Sequence, residues 1–170
     1  LRPGEFELRD VQPARREIVG LITTNAVDRY GEIVEPMGAL LDNYRKNPVV
    51  LLNHITWGLP VGKNLWIKSD AQGLLAKTRF ADTGEGLDTF RLYDEGFMKA
   101  WSIGFLPVEW EDGNTGTGFR RRFTKWELLE YSAVTVPANP DAVTNALARI
   151  ESPRIREAVQ RQCCDPGEAY

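Results

Sequence analysis

The stretch "KAWSIGF" (Lys99–Phe105) puts a hydroxyl, Ser102, among the large apolar side chains of Trp101, Ile103 and Phe105. A serine there is either a small packing residue or a nucleophile. Acyl transfer by serine needs a base to take the Oγ proton and a third group to orient that base. The chain holds a single histidine, His54, at the end of the apolar run "VVLLNH", so any imidazole chemistry must run through it. Its bland alternative is a strand-end histidine with a satisfied hydrogen bond. For the third group, "KWELLEYSAVTV" offers Glu127 and Glu130. Read as an unbroken strand, it puts Glu130 on one face with Trp126, Leu128, Ser132 and Val134, and Glu127 on the other with Leu129, Tyr131 and Thr135. A carboxylate on a mostly apolar face needs a partner. That partner is either the base or an arginine such as Arg120 or Arg122, and the residues alone leave both open.

Other clusters carry less. "DTGEG" (Asp82–Gly86) is better explained as a helix start than as half of a paired-aspartate site, since no second copy exists. "GNTGTG" lacks the lysine and following helix of a phosphate loop. Arg120–Arg122 is too short for a nucleic-acid stripe, and Asp28 with Glu32 reads as a solvated turn rather than a cation site. A net charge of −3 over 170 residues gives no basic footprint, so nucleic acid is not an expected partner. No apolar run approaches the roughly 20 residues of a membrane helix, so no membrane partner is expected either. Cys163 and Cys164 are adjacent and cannot staple the fold, which suits a reducing compartment. No metal site and no cofactor are expected. The chain does not begin with Met, which suggests that it was cut from something longer.

The elements that must position these residues follow from periodicity. With 42% hydrophobic residues, 15 glycines and 10 prolines, the chain suits one globular domain with many turns. Residues 1–16 read as a polar arm, 17–150 as the domain, and 151–170 as a charged tail or linker, dispensable beyond about Pro153. "EIVGLITT" predicts the first core strand, and "DRYGEIVEP" a loop leading into a short one. "GALLDNYRKN" predicts a short helix stopping before Pro48. "PVVLLNH" predicts a buried strand, and the segments flanking "SDAQG" a hairpin. Leu87, Phe90, Tyr93, Phe97 and Trp101 recur at helical spacing, predicting a helix over about 85–99, capped by Asp82 or Thr83. Two long strands then flank "DGNTGTG", a mobile hairpin tip. "VPANPDA" breaks the last strand, and a helix capped by Asn139 or Asp141 follows. The sum is a β-rich α+β domain with helices inserted and appended.

"DRYGEIVEP", "NYRKNPVVLLNH", "SIGF" after a helix, and "ELLEYSAVTVPANPDA" together resemble the prohead (capsid maturation) serine proteases of tailed bacteriophages and prophages. The resemblance spans about Ile18 to Leu147 and includes the order His, Ser, acid. It implies a small distorted β-barrel like that of the herpesvirus assemblin protease, with surrounding helices. It carries over Ser102 as nucleophile and His54 as general base, with Glu130 as the acid where the herpesvirus enzymes use a second histidine. The oxyanion loop of those relatives corresponds to "VPANP". Pro137 and Pro140 lack an amide hydrogen, so the donors it implies are the backbone N–H groups of Ala138 and Asn139.

The implied function is serine endopeptidase action without cofactor, inside the prohead in the bacterial host cytoplasm. The implied partners are the major capsid protein with its scaffolding segment, and the chain itself through autoprocessing or a homo-oligomer. The alternative is a non-catalytic assembly protein with a related tube-like barrel.

Overall fold

The computed structural model describes residues 11–12, 15–69 and 73–144. The order is β1 (Val11–Gln12), β2 (Glu17–Thr24), β3 (Glu32–Val34), β4 (Ala39–Leu40), β5 (Val49–Leu52), β6 (Gly62–Ser69), β7 (Gly73–Phe80), α1 (Gly84–Asp94), β8 (Ala100–Asp112) and β9 (Arg121–Val134). All the strands join one sheet in the order β1-β2-β7-β6-β5-β9-β3, with β4 and β8 also pairing β9. β8 packs back against β2, so the sheet curls into a nearly closed barrel. At that seam the segment 142–144 substitutes for a ladder. Leu21 N–H donates to Val143 O (3.4 Å), Trp101 N–H to Ala142 O (2.8 Å), and Thr144 N–H to Lys99 O (2.8 Å).

The barrel interior is filled by Ile18, Leu74, Phe80, Trp101, Trp126 and Tyr131, all essentially inaccessible. The Trp101 ring lies 4.7 Å from Tyr93 and 5.7 Å from Tyr131, and its Nε1–H donates to Thr144 Oγ1 at 3.1 Å. That anchor fixes the start of β8. Because successive strand side chains alternate, Ser102 is turned to the outer face of the sheet.

Most predicted strands are present, including the β6–β7 hairpin, whose tip at 70–72 lies outside the described residues. Four expectations are corrected. The helix predicted in "GALLDNYRKN" is absent. Ala39–Leu40 pair in parallel with Trp126–Glu127, and only a single 3-10 turn, Tyr44–Lys46, follows. The apolar spacing at 40, 41 and 44 is helical, but only Leu41 and Tyr44 pack into the core, while Leu40 stays exposed beside β9. The second helix stops at Asp94, not near Lys99, because Gly96 adopts φ +80 and donates to Tyr93 O (3.1 Å), a left-handed exit that glycine makes cheap. Its cap is Thr83, whose Oγ1 accepts from Gly86 N–H at 3.3 Å. So α1 is the one α-helix among the described residues, against an expectation of several. The helix expected from Asp141 does not begin there, since 142–144 form the seam segment, and its remainder, with the tail 151–170, lies outside the described residues.

The fourth correction concerns the face of β9. Gly104 pairs with Glu130 but Phe105 pairs with Leu128, so Leu129 is an extra residue in β9, a β-bulge. Trp126 and Leu128 point inward before it, and Tyr131 and Ala133 after it. Leu129 itself is 47% exposed. The bulge moves Glu130 and Ser132 to the outer face, the face of Ser102, and leaves Glu127 on that same side.

An ion-pair cluster ties β2 to β7. The fully buried Glu17 carboxylate meets Lys77 Nζ at 2.8 Å and the Arg79 guanidinium. Burial alone would raise its pKa, but hydrogen bonds and charge from Lys77 and Arg79 more than offset that and hold it below the usual carboxylate value. A depressed folded-state pKa contributes stability above the unfolded value of about 4.3, lost as pH falls through the folded value. Glu17→Gln, which leaves Lys77 buried and unpaired, is expected to cost about 3 kcal/mol at neutral pH. Thermal melting of both proteins across pH should show the gap closing in acid.

Candidate active site

His54 does not end its strand but sits in a tight turn just beyond it. β5 stops at Leu52, and Ile55 N–H donates back to Leu52 O at 3.0 Å. Asn53 and His54, the two central residues, have φ of 49° and 59°. Two left-handed residues in succession define a type I′ turn, a conformation uncommon for non-glycine residues although asparagine and histidine adopt it more readily than most. The strain is of order 1–3 kcal/mol and persists because β9 holds the turn from the side. Asn53 N–H donates to Ala133 O (2.9 Å), His54 N–H to Ser132 Oγ (3.1 Å), and Thr135 N–H to Asn53 Oδ1 (3.4 Å).

The ring of His54 is thereby brought onto Glu130. His54 Nδ1 lies 2.7 Å from Glu130 Oε1, and Ser132 Oγ–H donates to Glu130 Oε2 at 2.6 Å. A carboxylate only accepts, so we assign the proton to Nδ1, which leaves Nε2 as the free basic nitrogen. The Glu130 side chain is 8% exposed and that of His54 41%, so the acid is shielded while the ring keeps an open edge. Arg120 and Arg122 do not serve Glu130. They pair with Glu32 and Glu35 respectively. Glu127 accepts from Asn43 Nδ2 at 2.9 Å and touches neither His54 nor Ser102.

Ser102 stands directly across the ladder from Ser132, and Gly104 from Glu130. Residues so paired carry their side chains on one face, about 4.5–5.5 Å apart at Cβ. Ser102 is thus one residue away from the His54–Glu130 pair, on the same side of the sheet. Its Oγ makes no hydrogen bond among the described residues. Contacts of this kind are often long in unliganded enzymes and tighten with substrate. The glycine of "SIGF" has a steric role, since a Cβ at Gly104 would come within 2.2 Å of Glu130 Oε1.

Ser102 also opens onto a small cavity whose lining includes Ala138, Asn139 and the apolar side chains of Ile22, Val34 and Phe105. Among the described residues neither the Ala138 nor the Asn139 backbone N–H has an acceptor. The Asn139 side chain does cap a turn, with Oδ1 accepting from Asp141 N–H (3.0 Å) and Nδ2 donating to Thr24 O and Oγ1 (3.2 and 2.9 Å). Asp28 and Glu32 border the cavity too, but Asp28 Oδ1 is taken by the N–H groups of Tyr30 and Glu32 (2.8 Å each) and Glu32 pairs with Arg120.

The sequence model of the caudovirus prohead serine proteases matches residues 19–154. The chain belongs to that family. Similar proteins include the prohead protease of Escherichia phage T5, 31% identical over 76% of this chain, and the prohead protease of Enterobacteria phage HK97, 30% identical over 75%. A capsid polyprotein of Pseudomonas phage PAJU2 is 29% identical over 86% of the chain. The matches span 61% and 57% of the two prohead proteases and 22% of the polyprotein. The residue that sequence reasoning passed over is Ser132, which binds both His54 and Glu130. Its signal was the spacing "EYS", which sets it two residues from Glu130 on one strand face. Ser132→Ala orphans the His54 N–H and is expected to cost about 1–3 kcal/mol, measurable by urea denaturation.

Proposed function

We propose that this chain is a serine endopeptidase of phage capsid maturation in which Ser102, His54 and Glu130 form the catalytic triad. The observation that carries the reading is the 2.7 Å contact between His54 Nδ1 and Glu130 Oε1, beside Ser102 on one sheet face. His54 Nε2 takes the Ser102 proton as Oγ attacks the scissile carbonyl. The N–H groups of Ala138 and Asn139 hold the oxyanion of the tetrahedral intermediate. The imidazolium, stabilised by Glu130, then gives its proton to the leaving amine, and water activated by His54 releases the acyl group. Because the base must be neutral, the rate falls in acid.

The substrates proposed are the scaffolding portion of the major capsid protein and the chain itself, cut within the prohead in the host cytoplasm. A relative named as a capsid polyprotein, similar over only part of its length, supports the capsid protein as partner. The herpesvirus-protease type of barrel is part of the same proposal, supported by the strand-rich, nearly closed sheet. The test is co-expression with the major capsid protein of the same phage. The reading expects a shortened capsid protein with one new N-terminus. Capsid protein left at full length in assembled shells would contradict it.

A further inference from the structure

Arg29 is an exposed residue that contacts none of the triad, yet it grips the loop after β9 at two successive peptide groups. Its backbone N–H donates to Ala138 O at 3.0 Å, and its guanidinium Nη1 donates to Pro137 O. The peptides here are all trans, so each C=O points opposite to the N–H of the next residue. Pinning Pro137 O and Ala138 O on the Arg29 side therefore turns the N–H groups of Ala138 and Asn139 the other way. These are the two amides without an acceptor, on residues that line the cavity shared with Ser102.

Arg29 is itself held firmly. Asp28 Oδ1 accepts from Tyr30 and Glu32 N–H, Asp28 N–H donates to Glu32 O (2.8 Å), and Arg120 Nε–H donates to Tyr30 O (3.2 Å). On the far side the Asn139 side chain is bonded to Thr24. The 137–139 loop is thus clamped from both sides, with its amides left unsatisfied.

We infer that Arg29 is a positioning residue for oxyanion stabilisation: it sets the Ala138 and Asn139 amides by holding the carbonyls behind them. The inference rests on the catalytic reading above. A donor set fixed before reaction is worth most where charge develops only in the transition state. Loss of Arg29 should therefore slow the chemical step without weakening ground-state binding. The backbone N–H of Arg29 survives substitution, so the effect is that of loosened alignment rather than of a missing loop.

The experiment measures phosphonylation of the full chain by a fluorophosphonate, in which Ser102 Oγ bonds to phosphorus, fluoride leaves, and the serine proton passes to His54. The maximal rate and the half-saturating concentration are compared for wild type, Arg29→Met, Arg29→Lys and Ser102→Ala, with thermal melting of each. Removing one oxyanion donor typically costs about 10²–10³ in rate, and misaligning donors should cost about 10–100-fold. We expect that loss in the maximal rate of Arg29→Met, with the half-saturating concentration changed by less than about twofold. Arg29→Lys, which keeps a donor, should fall between Arg29→Met and wild type, and the pH profile should keep its shape because the His54–Glu130 pair is untouched. If Arg29→Met does not fold, Arg29→Lys against wild type still decides, since it must be slower. Folded Arg29→Met or Arg29→Lys proteins that react as fast as wild type, while Ser102→Ala does not react, would overturn the inference alone. Reaction of Ser102→Ala, or none by wild type, would overturn the catalytic reading and the inference with it.

Discussion

Ser102→Ala is expected to abolish proteolysis while leaving the fold intact. In the serine-protease template, loss of the nucleophile costs about a millionfold in turnover, because the remaining groups have nothing to activate. The structural cost should be small. Ser102 Oγ has no hydrogen bond among the described residues, and its loss orphans no buried donor. The anchor of this part of β8 is Trp101, which the substitution does not touch. Thermal melting should shift little, because only one small oxygen atom without a hydrogen bond is removed. Co-expressed capsid protein should then stay uncut in assembled shells. Trimming of the capsid precursor by the purified variant would mean that another residue is the nucleophile.

Glu130→Gln should cost at least about a hundredfold, and the template change costs about four orders of magnitude. Glutamine keeps the size and can still meet His54 and Ser132, but its amide N–H₂ offers a donor where Oε1 accepts. That favours the imidazole tautomer with its proton on Nε2, the nitrogen needed as base, and removes the charge that stabilises the imidazolium. Glu127→Gln should remain near wild type. The Leu129 bulge leaves Glu127 on the same outer face as Glu130, yet its carboxylate is spent on Asn43, not on His54. A comparison of kcat/KM for both variants checks this. If Glu127→Gln proved the damaging change, the third member would be misassigned. Equal, small losses in both would leave a Ser102–His54 dyad and return Glu130 to a structural role.

The strands that carry the site were legible because each is an apolar run bounded by turn residues, as "EIVGLITT" and "PVVLLNH" show. The β4 segment was not, since Leu40, Leu41 and Tyr44 fit a helical spacing and only pairing with Trp126–Glu127 decides otherwise. The type I′ turn at Asn53–His54 leaves no glycine to announce it. The bulge at Leu129 is invisible to any argument from alternation, which assumes an unbroken ladder, yet it is what takes Glu130 off the inward face of Trp126 and Leu128. The chemistry of the candidate site was legible as residue types, one serine, one histidine and two rival carboxylates. The choice between those carboxylates needed β5 to run alongside β9, which delivers the His54 turn to Ser132 and Glu130. Ser132 and Arg29 were missed for a related reason. Ser132 was marked only by its place two residues from Glu130, while its bond to His54 and the bonds of Arg29 to Pro137 and Ala138 join residues far apart in sequence, which neither type nor spacing marks.

The central claim, that Ser102 is the activated nucleophile, is tested most directly by mapping the site of a fluorophosphonate adduct by mass spectrometry of the digested protein. Ser132 provides a demanding internal control, being the paired residue across the ladder and bonded to both His54 and Glu130. The account predicts a single adduct on Ser102, lost in Ser102→Ala and slowed in Glu130→Gln. An adduct on Ser132, or none on Ser102 in protein that is otherwise folded, would contradict it.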